Sequence, residues 1–261
     1  VEREHVVWNV FAAAEFSVDP VNWCYPIAGC VAYRGYFSEK SALSYAAKLE
    51  EDGFDVYTGG VDAYSTLGWF EDSLLSTVLN RADYQLAGLI FHELAHQLVY
   101  LPGDTTFNES FATAVEREGV RRWLAKSNKD FNIDAALLDY DRQQQFVDLV
   151  GGYRDRFESL YQLEINESSM RSQKLELQQT LREEYAVLKQ QWQGYEGYDG
   201  WFSRSLNNAQ LSTVASYNDL LPFFAAVFEQ SNQDFSTFYA EVSRIADLPE
   251  QERDELVAAI E

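Results

Sequence analysis

Basic charge is scarce in this 261-residue chain: 20 lysines and arginines stand against 42 aspartates and glutamates, a formal charge of −22 at pH 7. A surface that acidic repels phosphate backbones and anionic lipid headgroups, which excludes nucleic acid as a natural partner. Long apolar runs are missing as well. The stretch from Leu86 to Phe91 comes nearest and is cut by His92 and Glu93, far short of the ~20 residues that span a bilayer, so no transmembrane segment is expected. Cysteine is limited to Cys24 and Cys30, in WCYPIAGC. That spacing makes neither a zinc knuckle nor a CxxC redox centre, and it leaves a small disulfide loop and two free thiols both open. No internal repeat or low-complexity tract is present. The chain starts at Val1 rather than at methionine, so a leader or lipid anchor, where the protein carries one, precedes that residue.

The remainder is rich in core-forming residues. A hydrophobic content of 46% and an aromatic content of 15% exclude disordered, collagen-like and purely coiled-coil chains. The length predicts one soluble globular domain over 1–261. Residues 1–80 form its mixed part. VWNVFAAAEF predicts a helix or mixed segment, and Ile27–Tyr36, Phe54–Tyr57 and Val61–Thr66 carry strand signals. A helix between Ser38, its N-cap, and Asp52 interrupts them, with Gly53 just past its end. From Ala82 onward the pattern is helical. Leu86, Leu89, Ile90, Leu94 and Leu98 keep a 3.6-residue spacing, and Pro102-Gly103 separates that helix from a second one over about Thr106–Lys126. These two helices make up 81–127. A long helical hairpin follows over 130–193, striped by Phe146, Leu149, Tyr153, Phe157, Leu160 and Leu163 on one arm. Leu177, Leu181, Leu188 and Trp192 stripe the other, with the turn and N-cap at Asn166 to Ser169. C-terminal helices occupy 194–261, chiefly Tyr217–Phe228 and Phe235–Ala246. The fold class is α+β, predominantly α-helical, with a small sheet.

Two of the only three histidines stand in IFHELAHQ. His92 and His96, four apart on a helix, leave the same face about 6 Å apart along its axis. That suits two nitrogens converging on one tetrahedral Zn2+. Glu93 lies beside the metal rather than on it, placed to act as general base toward the attacking water. Glu109, thirteen residues past His96 and beyond the Pro102-Gly103 reversal, supplies the third protein ligand. A helix-terminal acid answering the macrodipole is the competing account of it. Glu116, two turns later on the same face, can hold a ligand imidazole, with Asn108 beside Glu109 as a further supporting residue.

HExxH followed by Asn108-Glu109-Ser110-Phe111-Ala112 resembles the gluzincin metallopeptidases. The longer segments WCYPIAGCVAYRGYFSE, DVYTGGVDAYSTLGWF, IFHELAHQ, GDTTFNESFATAVEREG, YDGWF, LNNAQL and SYNDLLPFF resemble the bacterial putative aminopeptidase family, over roughly Trp23 to Tyr239. The resemblance implies a zincin-like fold, one Zn2+ on His92, His96 and Glu109, and Glu93 as catalytic base. It also implies an aminopeptidase acting on small peptides at the periplasmic side of the cell envelope. An oxidising envelope compartment in turn favours a Cys24–Cys30 disulfide. The spacing between His96 and Glu109 is shorter than in the best-known gluzincins.

Zincin peptidases hold the substrate backbone on an edge strand, and Gly59 to Thr66, with Tyr64 as the substrate-binding residue, has suitable β-propensity. A tyrosine is expected to stabilise the oxyanion, Tyr217 ahead of Tyr198. Asp62, Glu71, Asp72 and Asp199 are carboxylates that could hold a substrate ammonium, and nothing in the sequence selects among them. A reading of a different class is a non-catalytic module whose zinc is structural and whose hairpin docks a partner. A structural site would be closed by four protein ligands, whereas only three are in view.

Overall fold

Strand β1, Val7–Ala14, runs through the middle of an antiparallel three-stranded sheet of order β4-β1-β5 in a computed structural model that describes residues 5–25, 29–61, 78–79, 81–126 and 133–260. Its alanine-rich sequence suggested a helix or mixed segment, and the structure corrects this. Val10, Ala12 and Ala13 are fully buried, and small side chains at a central strand let other elements close over the sheet, so tertiary packing overrides propensity. The strand β2, Trp23–Tyr25, pairs with β3, Gly29–Val31, and β4 follows at Arg34–Tyr36. The expected single strand over Ile27–Tyr36 is thus two short ones, separated at Ala32 and Tyr33. Helix α1, Glu39–Glu51, is capped by Ser38, whose side chain accepts from the Ser41 amide. It lays Ala42 and Ala46 on Val10, Ala12 and Val56. Strand β5, Phe54–Val61, pairs with β1 along its whole length, Val7 opposite Val61 and Ala14 opposite Phe54. Residues 62–66, Tyr64 among them, lie outside the described residues.

Helices α2, Asp83–Leu98, and α3, Thr105–Lys126, are joined by the turn at Pro102-Gly103. Gly103 holds φ at +94°, where a side chain would be strained. Asp104 accepts from the Phe107 amide at 2.8 Å and so caps α3. The predicted leucine stripe of α2 is not its buried face: Leu94 and Leu98 are about half exposed. The helix instead meets α3 through Gly88, Ala95 and His96, because small residues allow the close approach. A Cβ on Gly119 would lie 2.8 Å from the Phe91 ring, and one on Gly88 would lie 3.0 Å from Glu116 Oε1. Gly119→Ala should therefore cost about 1–3 kcal/mol by overpacking, less the ~1 kcal/mol that alanine gains in helix propensity. Gly152→Ala, with nothing within 4 Å, should be neutral or stabilising. Thermal melts of the two variants test this contrast.

The hairpin consists of α4, Ile133–Tyr161, and α5, Glu167–Gln191, with Asn166 as N-cap. Phe146, Tyr153, Phe157, Leu160, Leu181 and Trp192 are buried, while Leu163 stands past the end of α4, half exposed. After the short α6, Asp199–Phe202, come α7, Asn208–Asn218, and α8, Leu221–Gln230, then α9, Phe235–Ala246, and α10, Glu250–Ala258. The expected helix over Tyr217–Phe228 is broken, because Pro222 has no amide hydrogen to continue α7 and starts α8 instead. One buried polar hub ties hairpin, sheet and α7 together. Lys174 Nζ reaches Asp55 Oδ2 at 2.6 Å and the Glu15 carbonyl at 2.7 Å, and the Asn208 amide donates to Asp55 at 3.0 Å. With 66% of the described residues helical around a small sheet, the expected α+β, mainly helical class holds.

Candidate metal centre

The α2–α3 reversal brings three donor atoms together. His92 Nε2 lies 3.3 Å from His96 Nε2 and 3.2 Å from Glu109 Oε2, and His96 Nε2 lies 3.7 Å from the same oxygen. Ligands at ~2.0–2.1 Å from one tetrahedral ion are separated by about 3.3 Å, so these residues fit a metal ion. Their side chains are only 12%, 9% and 14% exposed. Two imidazole nitrogens and a carboxylate facing one another so closely, and so dry, form a donor set that a cation would complete.

The supporting residues divide. Glu116 Oε2 sits 3.3 Å from His92 Nδ1, on the far side of the ring from the donor cluster, where it can orient the ring. Asn108 instead spends both ends of its amide on Leu101, accepting from its N–H and donating to its carbonyl, each at 2.8 Å. It latches the turn that sets Glu109 in place. Among the described residues, His96 Nδ1 is buried with no hydrogen-bond partner. The disulfide hairpin packs on that turn too. Cys24 and Cys30 are bonded across the β2–β3 ladder, and a Cβ on Gly29 would lie 2.5 Å from the Gly103 nitrogen. Only glycine permits that approach.

Glu93 lines a cavity of about 560 Å³ together with His92, Glu116, Tyr217 and Val61. The Tyr217 ring stacks on His92, centroids 6.0 Å apart. The Glu109 carboxylate, above all, pushes its ionisation far above the usual phenol range, so it stays a donor. Tyr198 lines the cavity as well, but its ring lies flat on Phe146 at 4.3 Å. Asp199 is committed to Lys189, at 2.6 Å, and to the Tyr185 hydroxyl, and is not part of the cavity lining. Asp62, Glu71 and Asp72 fall outside the described residues. Two tyrosines were not anticipated. Burial raises Tyr33, and Glu109, Tyr100 and Glu93 raise it further; burial and Glu109 act likewise on Tyr100. Tyr33 belongs to the segment that follows the disulfide, and its place inside a family-like motif was the only available signal. A larger cavity, of about 890 Å³, includes none of His92, Glu93, His96 or Glu109 in its lining.

Without a metal, the cluster holds itself together by charge. Burial opposes a charged His92, but Glu109 and Glu116 on either side overcome it and raise the group to about 10. Burial likewise works against the Glu109 carboxylate, but His92 and His96 bring it down to about 2. The raised histidine stabilises the metal-free fold fully below its ordinary 6.5, and that contribution is lost as pH climbs through about 10. The depressed carboxylate contributes above its ordinary 4.5 and is lost as pH falls through about 2. A metal needs the neutral imidazole. Binding at pH 7 should therefore release about one proton per ion, and affinity should rise with pH. Calorimetry in buffers of different ionisation enthalpy measures that proton.

Compared with models of known protein families, residues 1–257 match the one described as Putative aminopeptidase. No curated protein and no solved structure matches the chain. The match spans nearly the whole sequence, from the sheet through α2 and α3 to α10, and the chain belongs to the putative aminopeptidase family.

Proposed function

We propose that this protein is a zinc-dependent peptidase that hydrolyses small peptides in the cell envelope, recognising their amino-terminal side. The observation that carries the reading is the convergence of His92, His96 and Glu109 on one point, with Glu93 lining the cavity beside it. When bound there, zinc would act as a Lewis acid toward a carbonyl oxygen and make a water easier to deprotonate. Glu93 takes the proton of the attacking water and passes it to the departing amine. Tyr217, kept protonated by Glu109, donates to the oxygen on which negative charge develops. Glu116 holds the His92 ring, and Asn108 holds the turn.

The zincin-like arrangement belongs to the same proposal. Among the described strands β5 is an edge of the sheet, and its last residue, Val61, lines the cavity. An extended peptide could lie there with its backbone against that edge. The Cys24–Cys30 bond supports an oxidising compartment. No helix among the described residues is long and apolar enough to cross a membrane. Three protein donors beside an open cavity favour chemistry over a closed structural site. The test is a peptide library with free and blocked N-termini, offered to zinc-loaded protein. Hydrolysis that a chelator abolishes and zinc restores is expected; full zinc occupancy with no turnover on any peptide overturns the reading.

A further inference from the structure

We propose that Asp139 anchors the substrate's terminal ammonium about three residues from the scissile bond, so that the protein releases short peptides rather than single amino acids. The inference rests on the peptidase reading above and adds the length of the fragment removed.

The cavity is a trough that reaches the candidate metal centre through His92, with Glu93 and Tyr217 also in its lining. Its floor is one face of α2, where Tyr84, Leu89, His92 and Glu93 all line it. Tyr84 and His92 are eight residues apart, about 12 Å along a helix axis. An extended chain covers ~3.3–3.6 Å per residue, so roughly three residues fit between the two ends. The hairpin helix α4 builds the opposite wall with Asp139, Tyr140 and Gln143. At the end away from the histidines the two walls are tied together, because the Tyr84 hydroxyl donates to Asp139 Oδ2.

Among the described residues three carboxylates line the trough: Glu93, Glu116 and Asp139. The first two have work at the candidate metal centre. Asp139 has none there, and its side chain is 31% exposed. Its other oxygen faces Arg142 only at 3.4 Å, while that guanidinium lies over the Tyr195 ring at 4.1 Å. A carboxylate offers about four lone-pair sites, so two such contacts leave room for an ammonium. Tyr84 and Tyr140 line the trough with Asp139 and bring aromatic rings that a positive charge can approach, while Arg81, also in the lining, is an exposed residue. Burial and Asp139 push Tyr84 up to about 12, so its hydroxyl keeps its proton and orients the carboxylate. A single amino acid at the metal would leave its ammonium some two residues short of this group.

The experiment follows the first products by mass spectrometry and compares free with N-acetylated versions of the same six-residue peptides on the zinc-loaded protein. Fragments of two to four residues should appear first. Acetylation should raise KM about ten- to a hundredfold, the worth of a charge-assisted hydrogen bond, with a smaller change in kcat. In Asp139→Asn, with metal content verified, the gap in KM between free and acetylated peptides should largely close. Release of single amino-terminal residues as first products, or equal KM for the two peptide forms in the unaltered protein, overturns the proposal while leaving the peptidase reading intact. Absence of all turnover overturns both. The acetylation comparison needs no variant, so a misfolded Asp139→Asn does not shelter the idea.

Discussion

Glu93→Gln should yield a folded, metal-loaded protein whose peptide hydrolysis is at least ~10²–10⁴-fold slower than that of the unaltered chain. Glutamine keeps the shape of the side chain but cannot accept a proton from water. Glu93 is outside the group of three donors that converge, so removing its charge should not release the ion. Glu109→Gln should behave in the opposite way. Its carboxylate is the oxygen donor 3.2 Å from His92 Nε2, and a neutral amide is a poor ligand, so metal content should fall first and activity with it. Measuring kcat/KM and bound metal on both variants separates the two roles. Peptidase activity undiminished in Glu93→Gln would contradict the mechanism.

Lys174→Met should be the most destabilising change far from the candidate site, at about 3–5 kcal/mol. The lysine is 6% exposed and bonds both Asp55 and the Glu15 carbonyl. Its loss strands the Asp55 carboxylate in the junction between sheet, hairpin and α7, where among the described residues the Asn208 amide still donates to it. Removing one partner of a buried pair costs more than the pair itself is worth, because the remaining charge is left without compensation. The double variant Lys174→Met/Asp55→Asn should therefore recover part of the loss. Urea titrations of the three proteins test it, and a double variant less stable than Lys174→Met alone would refute this account of the hub.

The candidate metal residues were legible because their spacing is local. His92 and His96 are one helical turn apart, and a single tight turn with Pro102-Gly103 is enough to return Glu109 to them. Ser38 and Asn166 were legible as caps for the same reason: each is defined by an amide three residues away. The central strand was not. Val7–Ala14 is a strand because other elements close over both faces of the sheet, which no local pattern in VWNVFAAA records. The face of α2 was misread because leucine spacing marked the wrong side. Burial there depends on Gly88 and Ala95, whose value lies in what approaches them. Asp139 reaches the trough from a distant segment, through the packing of α4. Tyr217 was named from a family-like motif, and its stacking on His92 is a contact between residues 125 positions apart.

The measurement that bears most directly on the central claim is metal content by elemental analysis of protein purified without added metal, beside His96→Ala prepared in the same way. The account predicts about one zinc per chain in the unaltered protein and almost none in the variant, which should also melt at lower temperature because the ion ties α2 to α3. Less than a tenth of an equivalent in the unaltered protein, unchanged after soaking in zinc and dialysis, would contradict it.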